Sequence, residues 1–283
     1  MAYKFTKLNY ANNKKEFIGV DIKPIDFCCK NDEIYFIHEN GLGKISDGVV
    51  NSEWHDELFY REVPNFSSLT SITYDLKQDS LYQVSNGGSQ IVKVSLDLLE
   101  YEEIISKDSA RNFRKKYLSE KDSETYIHSN GHVIVWSVTN SHRCFIMDKD
   151  FAKPLIGCGK GGFSISQLDK SRICYPKGIL VTSNFICFND SGNNKLRGIK
   201  KDKCFSIIND CKDLSDLSFH RNKFFFLSEN CLHMLSSEGD MKHLFEVYSG
   251  ENKICHFYPS GKDVIYILEE DNATKNETET ESG

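Results

Sequence analysis

The sequence of 283 residues has few prolines and tryptophans, no long apolar run and no excess of basic charge. Its five prolines form no proline-rich linker, so we expect one folded domain rather than two tethered ones. No run of 18 or more apolar residues exists, and we therefore expect no membrane-spanning helix and no membrane partner. The first residues contain no apolar stretch of signal-peptide length, from which we expect an intracellular, cytoplasmic protein.

The charge balance also argues against one class of partner. The formal net charge is −6, but the segment Glu269–Gly283 alone carries six acidic residues against Lys275. The rest of the chain is therefore close to neutral, whereas nucleic-acid binding usually needs a strongly basic face. We expect no nucleic-acid partner. The segment 269–283 holds Ala273 as its one apolar residue, and we predict an acidic disordered tail there.

The ten cysteines lack the spacing of a metal site. No two of them are two to four residues apart, as zinc ligands usually are; Cys204 and Cys211 are separated by seven. Cys28 and Cys29 are adjacent and would point to opposite faces of a strand. We therefore expect structural thiols, no metal and no other cofactor.

A repeat is the main positive signal. Six short apolar or aromatic runs are each followed closely by a polar turn that usually contains asparagine. They recur about every 40–50 residues, which is typical of propeller blades. The runs are Ile34–Ile37, Leu81–Val84, Val133–Trp136, Phe185–Phe188, Phe224–Leu227 and Ile265–Leu268.

These repeats predict an all-β fold, a six-bladed β-propeller of four-stranded antiparallel blades covering residues 1–268. The sixth repeat has two clear strands, Lys253–Tyr258 and Val264–Leu268, before the acidic segment. Tyr3–Leu8 alternates with period two and precedes the first full repeat. We predict that this N-terminal strand closes the last blade as its outer strand, which would remove exposed sheet edges.

One segment interrupts the pattern. Residues 98–125 are highly charged, and Ser109–Leu118 contains good helix formers with Phe113 and Tyr117 four residues apart. We predict an insertion with a short surface helix. It would be either a solvated connection between blades or a docking element.

The fourth repeat has a more specific pattern. Its parts are Gly157–Phe163, Tyr175–Ile179 and Asp190–Arg197, which read GCGKGGF, YPKGI and DSGNNKLR. This stretch, about residues 157–200, resembles an NHL repeat, and Pro24 with Gly41–Ile45 echoes it weakly. The resemblance implies a six-bladed propeller. It implies no single function, because NHL repeats occur in interaction modules, RNA-binding domains, lyases and lactonase-like enzymes.

The turns between second and third strands should gather on one face, where loops on a rigid scaffold often bind partners. The alternative role for their polar side chains is to satisfy local backbone groups. The candidate binding residues in these turns are His38, Asn40, Asn86, Asn140, His142, Asp190, Asn193 and Asn230.

We therefore expect a non-enzymatic scaffold that presents propeller loops to protein partners, as a subunit of a larger assembly. A first alternative is a metal-dependent, lactonase-like hydrolase or lyase with its site in the axial funnel. Its candidate ligands by blade position are His38, His142, Asp190, Glu229 and Glu269. A second alternative is RNA binding through a local basic face formed by Lys195, Arg197, Lys200, Lys201 and Lys203.

Overall fold

The structure is a computed structural model, and the residues it describes are 3–39, 41–52, 69–97, 100–105, 107–118, 124–148, 151–221, 223–238, 241–249, 252–260 and 262–270. These ranges contain 24 strands, one α-helix and several short 3-10 turns. Strands β1 to β12 are Tyr3–Asn9, Lys14–Val20, Pro24–Lys30, Glu33–His38, Gly41–Ser46, Val49–Asn51, Ser71–Asp75, Ser80–Ser85, Gln90–Ser95, Tyr101–Glu103, Thr125–Ser129 and Ile134–Val138. Strands β13 to β24 are Arg143–Asp148, Phe151–Ile156, Pro176–Val181, Ile186–Asp190, Lys195–Lys200, Lys203–Asn209, Leu217–His220, Lys223–Ser228, Cys231–Glu238, Met241–Ser249, Lys253–Ser260 and Val264–Glu270. The helix, α1, is Lys107–Tyr117.

The strands form six antiparallel sheets of four strands each, which confirms the predicted six-bladed propeller. Blades one to five each take four consecutive strands, from β3–β6 to β19–β22. The first strand of each blade lies at the axis, and each of these inner strands packs against the inner strands on either side of it. The last inner strand, β23, packs against the first, β3, so the ring is closed.

The burial of each strand follows from its place in the blade. The middle strands are covered by neighbouring blades on both faces, so they are almost entirely apolar and buried, as in β4 and β24. The outer strands β2 and β6 are largely exposed. Buried apolar side chains form six clusters among the described residues, each shared by two adjacent blades. Burial between sheets is therefore what holds the ring together.

The N-terminal segment closes the sixth blade, but not in the predicted position. The sheet order is β2-β1-β24-β23, so β1 is the third strand and β2 is the outer one. Phe5 and Leu8 of β1 are fully buried, and Thr6 Oγ1 donates a hydrogen bond of 2.6 Å to Glu269 Oε2. A position inside the sheet explains this burial, which an outer strand would not provide.

The predicted helix in the charged insertion is present as α1. Phe113 packs against Trp136 and Phe145 of the third blade, with ring centroids 6.0 and 4.9 Å apart, and Ala110 is buried beside it. The helix is therefore docked on the core rather than free in solvent. The segment also contains β10, the outer strand of the second blade, which the sequence analysis missed.

The boundary of the acidic tail was also misplaced. β24 extends through Glu270, and Glu269 is fully buried, so the last strand includes two residues assigned to the tail. Residues 271–283 lie outside the described part of the chain.

Candidate binding funnel

A funnel opens at the axis on one face of the propeller. It has a volume of about 680 Å³ and is lined by residues from all six blades, near the points where the inner strands begin. The turns between second and third strands end on this same face, because each of those turns lies beside the start of an inner strand. The charged side chains that line the funnel are Lys23, Glu124, Lys177, Lys253, His256 and Glu270.

A second depression of about 630 Å³ adjoins the funnel and extends outward across blades three to five. Both depressions are lined by Glu124, Lys177 and Ser215, so they lie side by side on this face. Asn140 and Tyr175 line the outer part. We call the two depressions together the face groove.

The floor of the funnel contains a histidine between two aspartates. His256 Nδ1 lies 3.5 Å from Asp26 Oδ1 and 3.5 Å from Asp216 Oδ2. His256 borders the funnel, whereas the two aspartates border a cavity of about 40 Å³ on the axis below it. Its Nδ1 is buried while 19% of the side chain is exposed, so the opposite edge of the ring faces the funnel.

Hydrogen bonds from neighbouring inner strands position both aspartates. Asp26 Oδ2 accepts from Ser71 Oγ at 2.7 Å and from the backbone N–H of Ile72 at 3.0 Å. Asp216 Oδ2 accepts from the backbone N–H of Phe257 at 3.3 Å. Each carboxylate therefore links its own blade to the next one, and His256 lies between them.

The surroundings of His256 favour its charged form. Burial by itself would lower the pKa of His256, but the carboxylates of Asp26 and Asp216 outweigh burial and raise that pKa to about 9. The histidine is therefore an imidazolium at neutral pH. The floor of the funnel therefore presents an imidazolium, and its two carboxylate partners lie below it on the axis.

The rim of the funnel carries charges of both signs. Glu124 pairs with Lys177 at 3.1 Å, and Glu270 pairs with Lys253 at 3.5 Å. Lys23 is exposed, and no carboxylate in the described ranges lies within ion-pair distance of it. The rim acids are thus neutralised within the rim, while Lys23 is not.

Exposed apolar side chains accompany the groove on the same face. Phe163, Ile165 and Tyr175 belong to the connection between β14 and β15, and their side chains are about half exposed (50%, 56% and 48%). The connection is fixed in place, because Asn193 Nδ2 donates to the carbonyl of Gly162 at 2.9 Å. The Tyr175 ring also contacts His142, with centroids 4.7 Å apart.

Two of the predicted binding residues lie in the first two blades and bind to the chain itself. His38 is buried, and its Nε2 lies 3.0 Å from the carbonyl of Ser52. Asn86 adopts a positive φ and donates from Nδ2 to Gln90 Oε1 at 2.7 Å. Neither residue lines the face groove. A third, Asn40, lies outside the described residues.

The predicted residues of blades three and four come together. Asn140 is exposed and lines the outer groove, while His142 Nδ1 accepts from the backbone N–H of Tyr175 at 3.1 Å. Asn193 donates to Asp190, which is fully buried. In blade five, Asn230 Oδ1 accepts from Ile254 N–H at 2.7 Å. Of the seven predicted residues that the structure describes, Asn140 is the one that lines the groove, and the other six bind to groups of the chain itself.

The five residues considered as metal ligands do not converge. Asp190 is paired with Arg197, and Glu269 is bound by Thr6 of its own blade and by Tyr248 of the fifth blade. In the part of the chain that the structure describes, no group of three or more His, Cys, Asp or Glu side chains could hold a metal ion. Asp190 and Glu269, two of the positions that the sequence suggested for a metal, instead make contacts within and between blades.

The predicted basic face is incomplete. Arg197 is fully buried, with Nη1 2.9 Å from Asp190 Oδ2 and its guanidinium between the rings of Phe163 and Phe188. It cannot contact RNA. Lys200, Lys201 and Lys203 lie at the opposite end of their strands from the funnel.

The sequence analysis missed Asp26, Asp216 and His256. Each is an ionisable residue within or next to an inner strand that is otherwise mostly apolar, as in PIDF, LSDLSF and ICHFY. A charged residue at such a position needs a partner when it is buried. An ionisable residue inside an apolar inner strand is therefore the signal in the sequence that identifies these three residues.

No protein-family description matches the chain, and no curated protein sequence matches it. Solved structures do match. A streptogramin B lyase has a TM-score of 0.57 and 12% identity, with 94% of this chain and 86% of the lyase covered. An auxiliary nutrient binding protein from Bacteroides ovatus ATCC 8483 has a TM-score of 0.59 and 9% identity, with 95% of this chain covered and 64% of that protein. A chain in a nidogen/laminin complex has a TM-score of 0.54 and 12% identity, with 93% and 84% covered.

At these identities the similarity shows a shared propeller fold. The three proteins carry different functions in their names, so the fold leaves the activity of this chain open. The described ranges also contain no helix with the length and apolarity needed to cross a lipid bilayer.

Proposed function

We propose that this protein is a non-enzymatic binding module that receives a segment of a partner protein in the face groove. The observation that carries this proposal is that the funnel and the outer depression adjoin, so that together they extend from the axis across blades three to five. An extended segment of a protein fits such a shape better than a compact small molecule does.

The exposed apolar side chains support a protein as the partner. Phe163, Ile165 and Tyr175 lie on the connection between β14 and β15, on the face of the groove, and exposed aromatic and apolar side chains there are suited to contact a protein partner. The cytoplasm remains our proposed location.

Photocrosslinking tests this proposal. A benzoylphenylalanine is placed at Asn140 or at Tyr175 in the groove, and in a control at Lys201 on the opposite face. We expect both groove positions, and not Lys201, to crosslink the same protein in cells that make this chain. Crosslinking from Lys201 alone, or from no position, would overturn the proposal.

A further inference from the structure

The charged side chains at the floor of the funnel lie at different depths. The funnel is bordered by His256 but by neither Asp26 nor Asp216, which border the small cavity below. A group that enters therefore meets the edge of an imidazolium ring before it meets any carboxylate of the floor. The two aspartates hold the ring in place and keep it charged.

The charges of the rim also favour a negatively charged group in the funnel. Glu124 and Glu270 are each engaged by a lysine of the rim, at 3.1 and 3.5 Å. Lys23 lines the funnel, is exposed and has no such partner among the described residues. Among the cations that line the funnel, Lys23 therefore has no carboxylate partner in the described ranges, while the two carboxylate partners of His256 border the cavity below and not the funnel itself.

We propose that the partner segment is acidic and places a carboxylate in the funnel against His256 and Lys23. This inference rests on the proposed function and names the chemistry of the segment. A carboxylate accepts hydrogen bonds from both an imidazolium and an ammonium, and such charge-assisted bonds are stronger than neutral ones. The funnel has the volume to take an aspartate or glutamate side chain with its backbone.

A protein carboxylate fits this face better than a nucleic acid does. The phosphates of a nucleic acid need a continuous basic track, whereas this rim also carries Glu124 and Glu270. The apolar side chains of Phe163 and Ile165 beside the groove favour a polypeptide as well.

The test uses the full chain and two labelled peptides, one of alternating glutamate and serine and one with glutamine replacing each glutamate. Fluorescence anisotropy measures their binding at low salt and at physiological salt. We expect the glutamate peptide to bind about tenfold more tightly than the glutamine peptide, and its affinity to fall as salt increases. Labelled single-stranded RNA serves as the competing probe.

Lys23→Glu is the main variant, because it reverses the charge of an exposed side chain that lines the funnel. Lys200→Glu makes the same change of net charge on the opposite face and serves as the matched control. We expect Lys23→Glu to weaken binding of the glutamate peptide about tenfold and Lys200→Glu to leave it unchanged. His256→Gln, checked for folding by its circular dichroism, should weaken binding as well.

Equal binding of both peptides, or equal effects of both lysine variants, would overturn the acidic assignment. Tighter binding of RNA, lost in Lys23→Glu, would assign the funnel to phosphates and overturn it too. These results are distinct from failure of the proposed function, because crosslinking at Asn140 and Tyr175 does not depend on the charge of the partner.

Discussion

The residue that most affects the chemistry of the funnel is His256, and its charge also contributes to stability. Its pKa is raised to about 9 against burial by Asp26 and Asp216, while Glu124 acts in the same direction from further away. A pKa that is higher in the folded state than the ordinary value of 6.5 stabilises the fold most strongly below pH 6.5. That stability is lost as the pH rises through about 9.

We therefore predict that the free energy of unfolding falls by about 2–3 kcal/mol between neutral pH and roughly pH 10. Urea titrations at a series of pH values measure this change. In the His256→Gln variant the slope over this range should flatten. A wild-type slope that persists in the variant would assign the pH dependence to other groups.

For single residues, the sequence patterns predicted the turns but not the buried ion pairs. Asn86 and Asn193 were expected in tight turns, where both are found. The sequence predicts Arg197 as one of several surface cations, because alternation along a strand does not reveal that a connection between blades covers its side chain. The covering residue, Phe163, comes from the loop before the blade. Contacts between blades of this kind have no signature in the local sequence.

Among the elements, β1 was predicted in the correct blade but at the wrong position within that blade. Its alternation and the incomplete sixth repeat were enough to place it in the last blade. The outer strand β2 was missed because Lys14–Val20 is mostly exposed and therefore has no buried alternation. With β2 unrecognised, β1 was assigned to the edge that β2 occupies.

We predict that removing residues 1–9 destabilises the fold by more than about 3 kcal/mol, because Phe5 and Leu8 lose a fully buried environment. Glu269 would also lose its hydrogen bond from Thr6. Thermal and urea unfolding of the shortened chain measure the effect. Val49→Thr, which alters an exposed side chain of an outer strand, should change stability by less than about 0.5 kcal/mol. A shortened chain as stable as the full one would refute the role of β1.

For the whole molecule, the period of the repeat was sufficient to predict six blades because every blade buries the same kind of middle strand. The face on which the turns gather could be predicted, but not the groove within it. The groove arises where inner strands from six separate repeats meet, so its residues are distributed over the whole chain.

The cysteines provide a measure of how firmly the ring is closed. All ten are unbonded thiols, and Cys28, Cys29, Cys144, Cys187 and Cys204 are buried. Burial raises the pKa of each of these five thiols, which lowers its reactivity further. We predict that iodoacetamide labels the other five in the native protein and reaches these five only when blades separate. Mass spectrometry after timed labelling measures this, and early labelling of the buried set would contradict a closed ring.

The pairing of β1 with β24 has a consequence for how the chain is made. As the nascent chain leaves the ribosome, the first strand emerges with its partner still unsynthesised, since Phe5 lies opposite Leu268. Contacts so distant in sequence form late and slowly. Phe5 can pack early against Phe27 and Phe36 of the first blade, whereas Leu8 packs against residues of the fifth and sixth blades and stays uncovered until they are made. This interval is when the protein is most open to aggregation and to chaperones.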